Sequence, residues 1–125
     1  MNSLKDKAIA FLQGAATGNV EEVYKTYVAE GFRHHNPYYK GDATSLKEGM
    51  KEASAMNPTK SLEVQLAVEE GNHVSVYSHV KPDENHSGYA VVHFFRFKDG
   101  RIAELWDVGQ AVPEGDEMVN EEGMF

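Results

Sequence analysis

Near Ser61 the spacing of apolar residues changes from three or four to two, and that switch divides the chain into a helical half and a sheet half. Before it, Leu4, Ala8, Phe11, Leu12 and Ala15 recur at helical spacing, behind an Asn2/Ser3 cap signal and ahead of Gly18. Asn19 reads as the cap of a second helix, with Glu21 and Glu22 in its first turn, where the helix dipole favours anions. Val20, Val23, Tyr24, Tyr27 and Val28 form its stripe, and Gly31 is expected to end it. A third helix is expected from Asp42 or Thr44, turning Leu46, Met50 and Ala53 inward and stopping before Pro58. The loop from Phe32 to Gly41 is dense in aromatic, imidazole and amide groups rather than in small linker residues.

After Ser61, Leu62, Val64, Leu66 and Val68 alternate with polar neighbours as in a half-buried strand. Three more strands are expected through Val74–Val80, Gly88–Phe97 and Ile102–Val112, separated by the turn at Glu70-Gly71-Asn72, the polar loop 81–87 and the turn at Lys98-Asp99-Gly100. Four strands on short turns make an antiparallel meander, and helices gathered ahead of it make an α+β fold. The 125 residues read as one domain, with residues 113–125 an acidic tail whose apolar Gly123-Met124-Phe125 end is expected to dock, including across a dimer seam.

Composition narrows the partners. Lys and Arg number 12 against 20 Asp and Glu, a net charge of −8, which argues against a nucleic-acid backbone or an anionic membrane. The absence of Cys removes thiolate chemistry and Cys-ligated zinc, and fits a reducing cytoplasm. The first apolar run, Ala8–Leu12, is too short for a signal peptide or a membrane span, so the chain is expected to stay in the cytoplasm.

Alternation decides which polar groups can meet. His73, Ser75, Tyr77 and His79 share one side of their strand, and Tyr89, Val91, His93, Phe95 and Phe97 one side of the next. Whether Asp107 joins His93 depends on the turn between the last two strands. A two-residue Asp99-Gly100 loop sets His93 opposite Trp106 and sends Asp107 to the far side. A three-residue loop, Lys98 to Gly100, returns Asp107 to the side of His93. The second is favoured, because it collects His79, His93 and Asp107 on one otherwise aromatic and aliphatic surface, leaving Val74, Val76, Val92, Phe94, Trp106 and Val108 to the outer face. A carboxylate among apolar groups is suited to general-base work, and imidazoles beside it can donate to an oxygen that gains charge. A buried histidine that merely satisfies its neighbours is the competing reading.

His35-Asn36-Pro37, the run Val91 to Ile102 and above all Glu104-Leu-Trp-Asp-Val-Gly-Gln-Ala-Val-Pro-Glu114 resemble the SnoaL-like group of the nuclear transport factor 2-like superfamily. The resemblance implies a cone-shaped α+β barrel, three helices on a bent antiparallel sheet, a pocket between them and frequent homodimers. It also implies that Asp107 stands where the polyketide cyclases of the group have an acid/base carboxylate, and His93 where they have a pocket histidine. Asn36, and more loosely His35, match the polar loop before the third helix, and His79 matches a strand histidine. Two positions depart from the pattern. Leu105 replaces the histidine of the usual His-Trp-Asp, and His93 stands where relatives often carry Asp.

The leading expectation is therefore acid/base chemistry alpha to a carbonyl, an aldol-type cyclisation or an isomerisation, on a small apolar or carbonyl-containing molecule and without a cofactor. Asp107 is the candidate base, and His93, His35 and Asn36 would hold the enolate oxygen. His79, Tyr77, Val91, Phe95, Leu105 and Tyr38 are the candidate substrate-lining residues. A non-catalytic ligand-binding or dimerisation module is the alternative. A metal held by His79, His93 and Asp107 has the composition of a two-histidine, one-carboxylate site but no supporting motif. Epoxide hydrolysis fits less well, since the only nearby arginines, Arg96 and Arg101, fall on outward or turn positions.

Overall fold

The computed structural model describes residues 3–125, so Met1 and the Asn2 part of the first cap signal lie outside the described residues. The order of elements is α1 (Leu4–Ala16), α2 (Val20–Tyr27), β1 (Val28–His34), α3 (Ala43–Met56), β2 (Ser61–Glu70), β3 (His73–Lys81), β4 (Tyr89–Lys98) and β5 (Arg101–Ala111), with a short 3₁₀ turn, Gly115–Glu117, in the tail. Three helices cover one face of a curved, unclosed five-stranded sheet in the order β1-β5-β4-β3-β2. No helix among the described residues is long and apolar enough to cross a membrane.

Local chemistry sets the helix ends. Ser3 and Asp6 form a capping box on α1, and the Glu69 carboxylate accepts from the Lys5 amide at 2.7 Å, so the sheet itself helps to cap this helix. Asp42 caps α3 by accepting from the Ser45 amide at 2.9 Å. Ala8, Phe11, Leu12 and Ala15 of α1 are buried against Val74, Val76, Phe95, Phe97, Ile102 and Leu105 of the sheet, and Val20, Val23 and Tyr24 of α2 and Leu46 of α3 complete the core.

Four expectations need correction. The second helix does not run to Gly31: it ends at Tyr27, and Val28–His34 forms a fifth strand that joins β5 in parallel at the sheet edge. Val28 fits the helical stripe as well as a β-strand, and burial of Phe32 and His34 in alternation decides for the strand. In β2 a bulge between Val64 and Leu66 turns Leu66 and Val68 outward, while Leu62, Val64 and Ala67 pack inward.

The β4–β5 turn is the two-residue Asp99-Gly100 loop, not the three-residue one. Both residues have positive φ, 52° and 78°, and Lys98 pairs with Arg101, as in a type I′ turn. A bulge then leaves Ala103 unpaired, since Phe97 opposes Ile102 and Arg96 opposes Glu104. The extra residue lets Ile102 and Leu105, three apart, both face the core, and it restores Asp107 to the side of His93.

The side assigned to β3 is inverted. Val76 opposes His93, and residues directly opposite share a face, so Val74, Val76 and Ser78 turn towards the helices. Tyr77 and His79 consequently lie on the outer face. There the tail covers them: the Tyr77 hydroxyl donates to the Met124 carbonyl at 2.6 Å, and Phe125 stacks on His79 at 4.2 Å.

Candidate functional site

His93 and Asp107 are direct cross-strand partners in the middle of β4 and β5, beneath the helices. His93 is only 9% exposed, its ring stacks on Phe95 at 6.4 Å, and its Nδ1 is buried without a hydrogen-bond partner among the described residues. Burial pushes its pKa down from 6.5 to about 4, against the pull of the Asp107 charge, which raises it, and with a smaller push from Lys60. His93 is therefore a neutral imidazole near pH 7.

Asp107 is half-buried and tied to the loop that precedes α3. The Asn36 side-chain amide donates to Asp107 Oδ2 at 3.1 Å, and Asn36 Oδ1 accepts from the Tyr38 amide at 2.9 Å. His34 braces the same loop. Its ring, 5% exposed, accepts from the Asn36 amide through Nδ1, so the opposite nitrogen carries the proton and donates to the Lys40 carbonyl. Two groups on β1 and its loop thus fix the one that reaches Asp107.

Beside His93 opens a cavity of about 200 Å³ between α1, α3 and the sheet. Its wall consists of Leu12, Ala15, Ala16, Met50, Leu62, Val80 and Val91, with His93 and Lys60 as the polar members. Of the expected lining residues, Val91 is in this wall. Phe95 and Leu105 are not: at 0% and 1% exposure they are core residues beneath it. Tyr38, 86% exposed, points to solvent, and its neighbour Tyr39 lies with its ring over Gly49 of α3.

The remaining candidates fall elsewhere. His35 is on the outer side, stacked on Trp106 at 4.9 Å and hydrogen-bonded to Glu104 at 2.6 Å, so it does not approach Asp107's partner His93. His35 and Arg96 together hold the Glu104 carboxyl below its ordinary pKa. His79 and Tyr77 are on the outer face as described, which separates His79 from His93 and Asp107 and dissolves the proposed two-histidine, one-carboxylate grouping. The parity of the side chains explains both: His35 follows His34, which faces inward, and His79 follows Ser78, which faces inward.

Two further residues, Ser78 on this face and Lys60 ahead of β2, escaped the sequence reading. Ser78 is fully buried, its hydroxyl has no hydrogen-bond partner among the described residues, and it interrupts the Val74, Val76, Val80 stripe, a signal available once that stripe is assigned to the inside. Lys60 carried no signal, because a single lysine after a Pro-Thr turn looks like surface.

Three helices on one face of a bent, unclosed five-stranded sheet define the nuclear transport factor 2-like class. Within that class the chain belongs to the SnoaL-like domain family, whose model matches residues 8–105. No curated protein matches the chain. Among solved structures it is similar to a candidate polyketide cyclase from Streptomyces antibioticus, with 18% identity over 87% of this chain and 93% of the other and a TM-score of 0.71. It is also similar to a nuclear transport factor 2-like protein of unknown function from Cytophaga hutchinsonii (19% identity, 88% and 92% covered, TM-score 0.69). A candidate SnoaL-like isomerase from Agrobacterium tumefaciens is 12% identical over 86% and 98% of the two chains, with a TM-score of 0.70. At such identities the likeness is one of fold.

Proposed function

We propose that the chain is a small-molecule enzyme that moves a proton alpha to a carbonyl group, as in an aldol-type cyclisation or an isomerisation. The observation that carries this reading is the cross-strand pairing of Asp107 with His93, the member of the pair that lines the apolar cavity. Asp107, oriented by Asn36, would take the proton from the carbon next to the carbonyl. His93, kept neutral by burial, would donate its N–H to the carbonyl oxygen as negative charge develops there. Asn36 is a positioning residue in this scheme rather than a donor to the enolate, and His35 has no part in it. The polyketide cyclase and isomerase descriptions of similar structures agree with this reaction class.

The test is exchange of alpha protons for deuterium in a panel of small ketones and β-keto esters, followed by NMR. The expected result is catalysed exchange in the parent and a loss of ~100-fold in Asp107→Asn, which keeps the acceptor for Asn36. Equal exchange in parent and variant, or none with any carbonyl compound, would overturn the proposal. The apolar wall, seven of nine lining residues, favours as second reading a module that only holds an apolar molecule. Native mass spectrometry showing a retained, chemically unchanged ligand, with no exchange activity, would establish that reading instead.

The outer face supports a symmetric homodimer. Leu66, Val68, Phe94 and Val108 are 60%, 55%, 40% and 74% exposed there, an apolar surface of the kind that associates. Val74 and Val76, expected on that face, are in the core and take no part. Light scattering at micromolar concentration should give twice the 13.9 kDa chain mass, and Phe94→Glu with Val108→Glu should give the monomer. A monomeric parent would reject the dimer.

A further inference from the structure

We infer that the cavity takes a ligand that is apolar along its length and ends in a carboxylate, which Lys60 holds. Lys60 sits between the end of α3 and the start of β2, where its amide closes the turn on the Asn57 carbonyl. Lys60 lines the cavity and also a neighbouring groove, formed with residues that include Gln13, Thr17 and Ser61, so it stands where the two meet. Lys47 and Lys51 pair with Glu21, but no carboxylate among the described residues lies at ion-pair distance from Lys60. Burial lowers its pKa, the mark of a cation short of water and of a counter-charge. The other polar residue of the wall is the buried His93.

Between these two polar ends the wall is aliphatic, from Leu12 and Ala15 on α1 to Val80 and Val91 on the sheet. A ligand that matches has one anionic end for Lys60, a hydrocarbon middle, and room for a polar group at His93. One cation in the cavity lining, in a chain of net charge −8, suits a singly charged carboxylate rather than a phosphate, whose second charge would find no counterpart there. About 150 Å³ accommodates benzene, so this cavity fits a chain on the order of six to eight carbons.

The inference rests on the reading that this cavity is the ligand site, but not on any reaction taking place there. Calorimetric titration with hexanoate and with the isosteric neutral hexanamide tests it at neutral pH. Hexanoate should bind roughly ten- to hundredfold more tightly than hexanamide, the range of a charge-assisted hydrogen bond in a partly dry site. Lys60→Met, similar in length and uncharged, should bind the two equally, with hexanamide unaffected, and Lys60→Arg should keep the preference for hexanoate. Equal binding of both by the parent, or a preference that survives in Lys60→Met, overturns the lysine as the anchor while leaving the cavity as a ligand site. Binding of neither compound overturns the cavity reading and this inference with it.

Discussion

Phe95→Ala should lower the unfolding free energy by about 3–5 kcal/mol, because it empties the centre of the core. Phe95 is fully buried in β4, the middle strand of the sheet, with Val74 opposite on one side and Leu105 opposite on the other. Phe11 of α1 meets its ring edge-on at 6.2 Å, and Phe97 and His93 lie along the same strand face at 6.2 and 6.4 Å. These partners come from α1 and three strands and cannot all collapse into the space left behind, so the cavity term adds to the lost burial. A domain of this kind has about 5–15 kcal/mol in total, so the variant is expected to fold only marginally. Phe94→Ala, one residue away on the outer face and 40% exposed, should cost about 1 kcal/mol or less when measured on the monomer. Urea unfolding of both variants makes the comparison. A loss below about 1 kcal/mol for Phe95→Ala would mean that its ring borders open space, as the sequence had suggested for a substrate-lining residue, and not the core.

The contrast between Phe94 and Phe95 also shows which parts of this fold could be read from its sequence. The change of period at Ser61, the Ser3 and Asp42 caps and the strand limits around Tyr89 and Lys98 are local signals, and each leads to an observed element. The bulges at Gln65 and Ala103 are not local. Each adds one residue to one strand, and each is favoured by which side chains the partner strand and the helices can bury. The sharing of one face by His93 and Asp107 was expected from the wrong turn. The Asp-Gly turn and the Ala103 bulge each shift the register, and together they restore the parity that a three-residue loop would have given. His79 had no such compensation, because Val76 rather than Tyr77 opposes His93. The edge strand β1 pairs in parallel with β5, some seventy residues later, and no short-range pattern in Val28–His34 announces that contact.

His93 makes the stability of the protein fall with acid in a defined window. Its folded-state pKa is about 4, because burial disfavours the charged ring, whereas in the unfolded chain it returns to about 6.5. Between these values the unfolded chain binds a proton that the folded chain refuses, so stability is intact above about pH 6.5 and is lost progressively as pH falls towards 4. Below that the folded ring is also protonated and the loss levels off. A gap of about two and a half units corresponds to about 3 kcal/mol at full extent. Glu104 and Asp42, whose pKa values are lowered on folding, also weaken the protein in acid, so the parent alone does not isolate the histidine. His93→Leu does. It removes the titration and the unpartnered Nδ1 together, so near pH 7 it should be as stable as the parent to within about 1 kcal/mol. In urea unfolding at pH 7, 6, 5 and 4, the advantage of His93→Leu over the parent should grow by about 2–4 kcal/mol. Asp107→Asn should widen the effect in a chain that retains His93, since the Asp107 charge is what holds the imidazole pKa up. If parent and His93→Leu instead lose stability in parallel, the ring is as well hydrated in the folded chain as in the unfolded one. A neutral donor at the wall of a dry cavity would then be ruled out, and with it the role given to His93 in proton transfer.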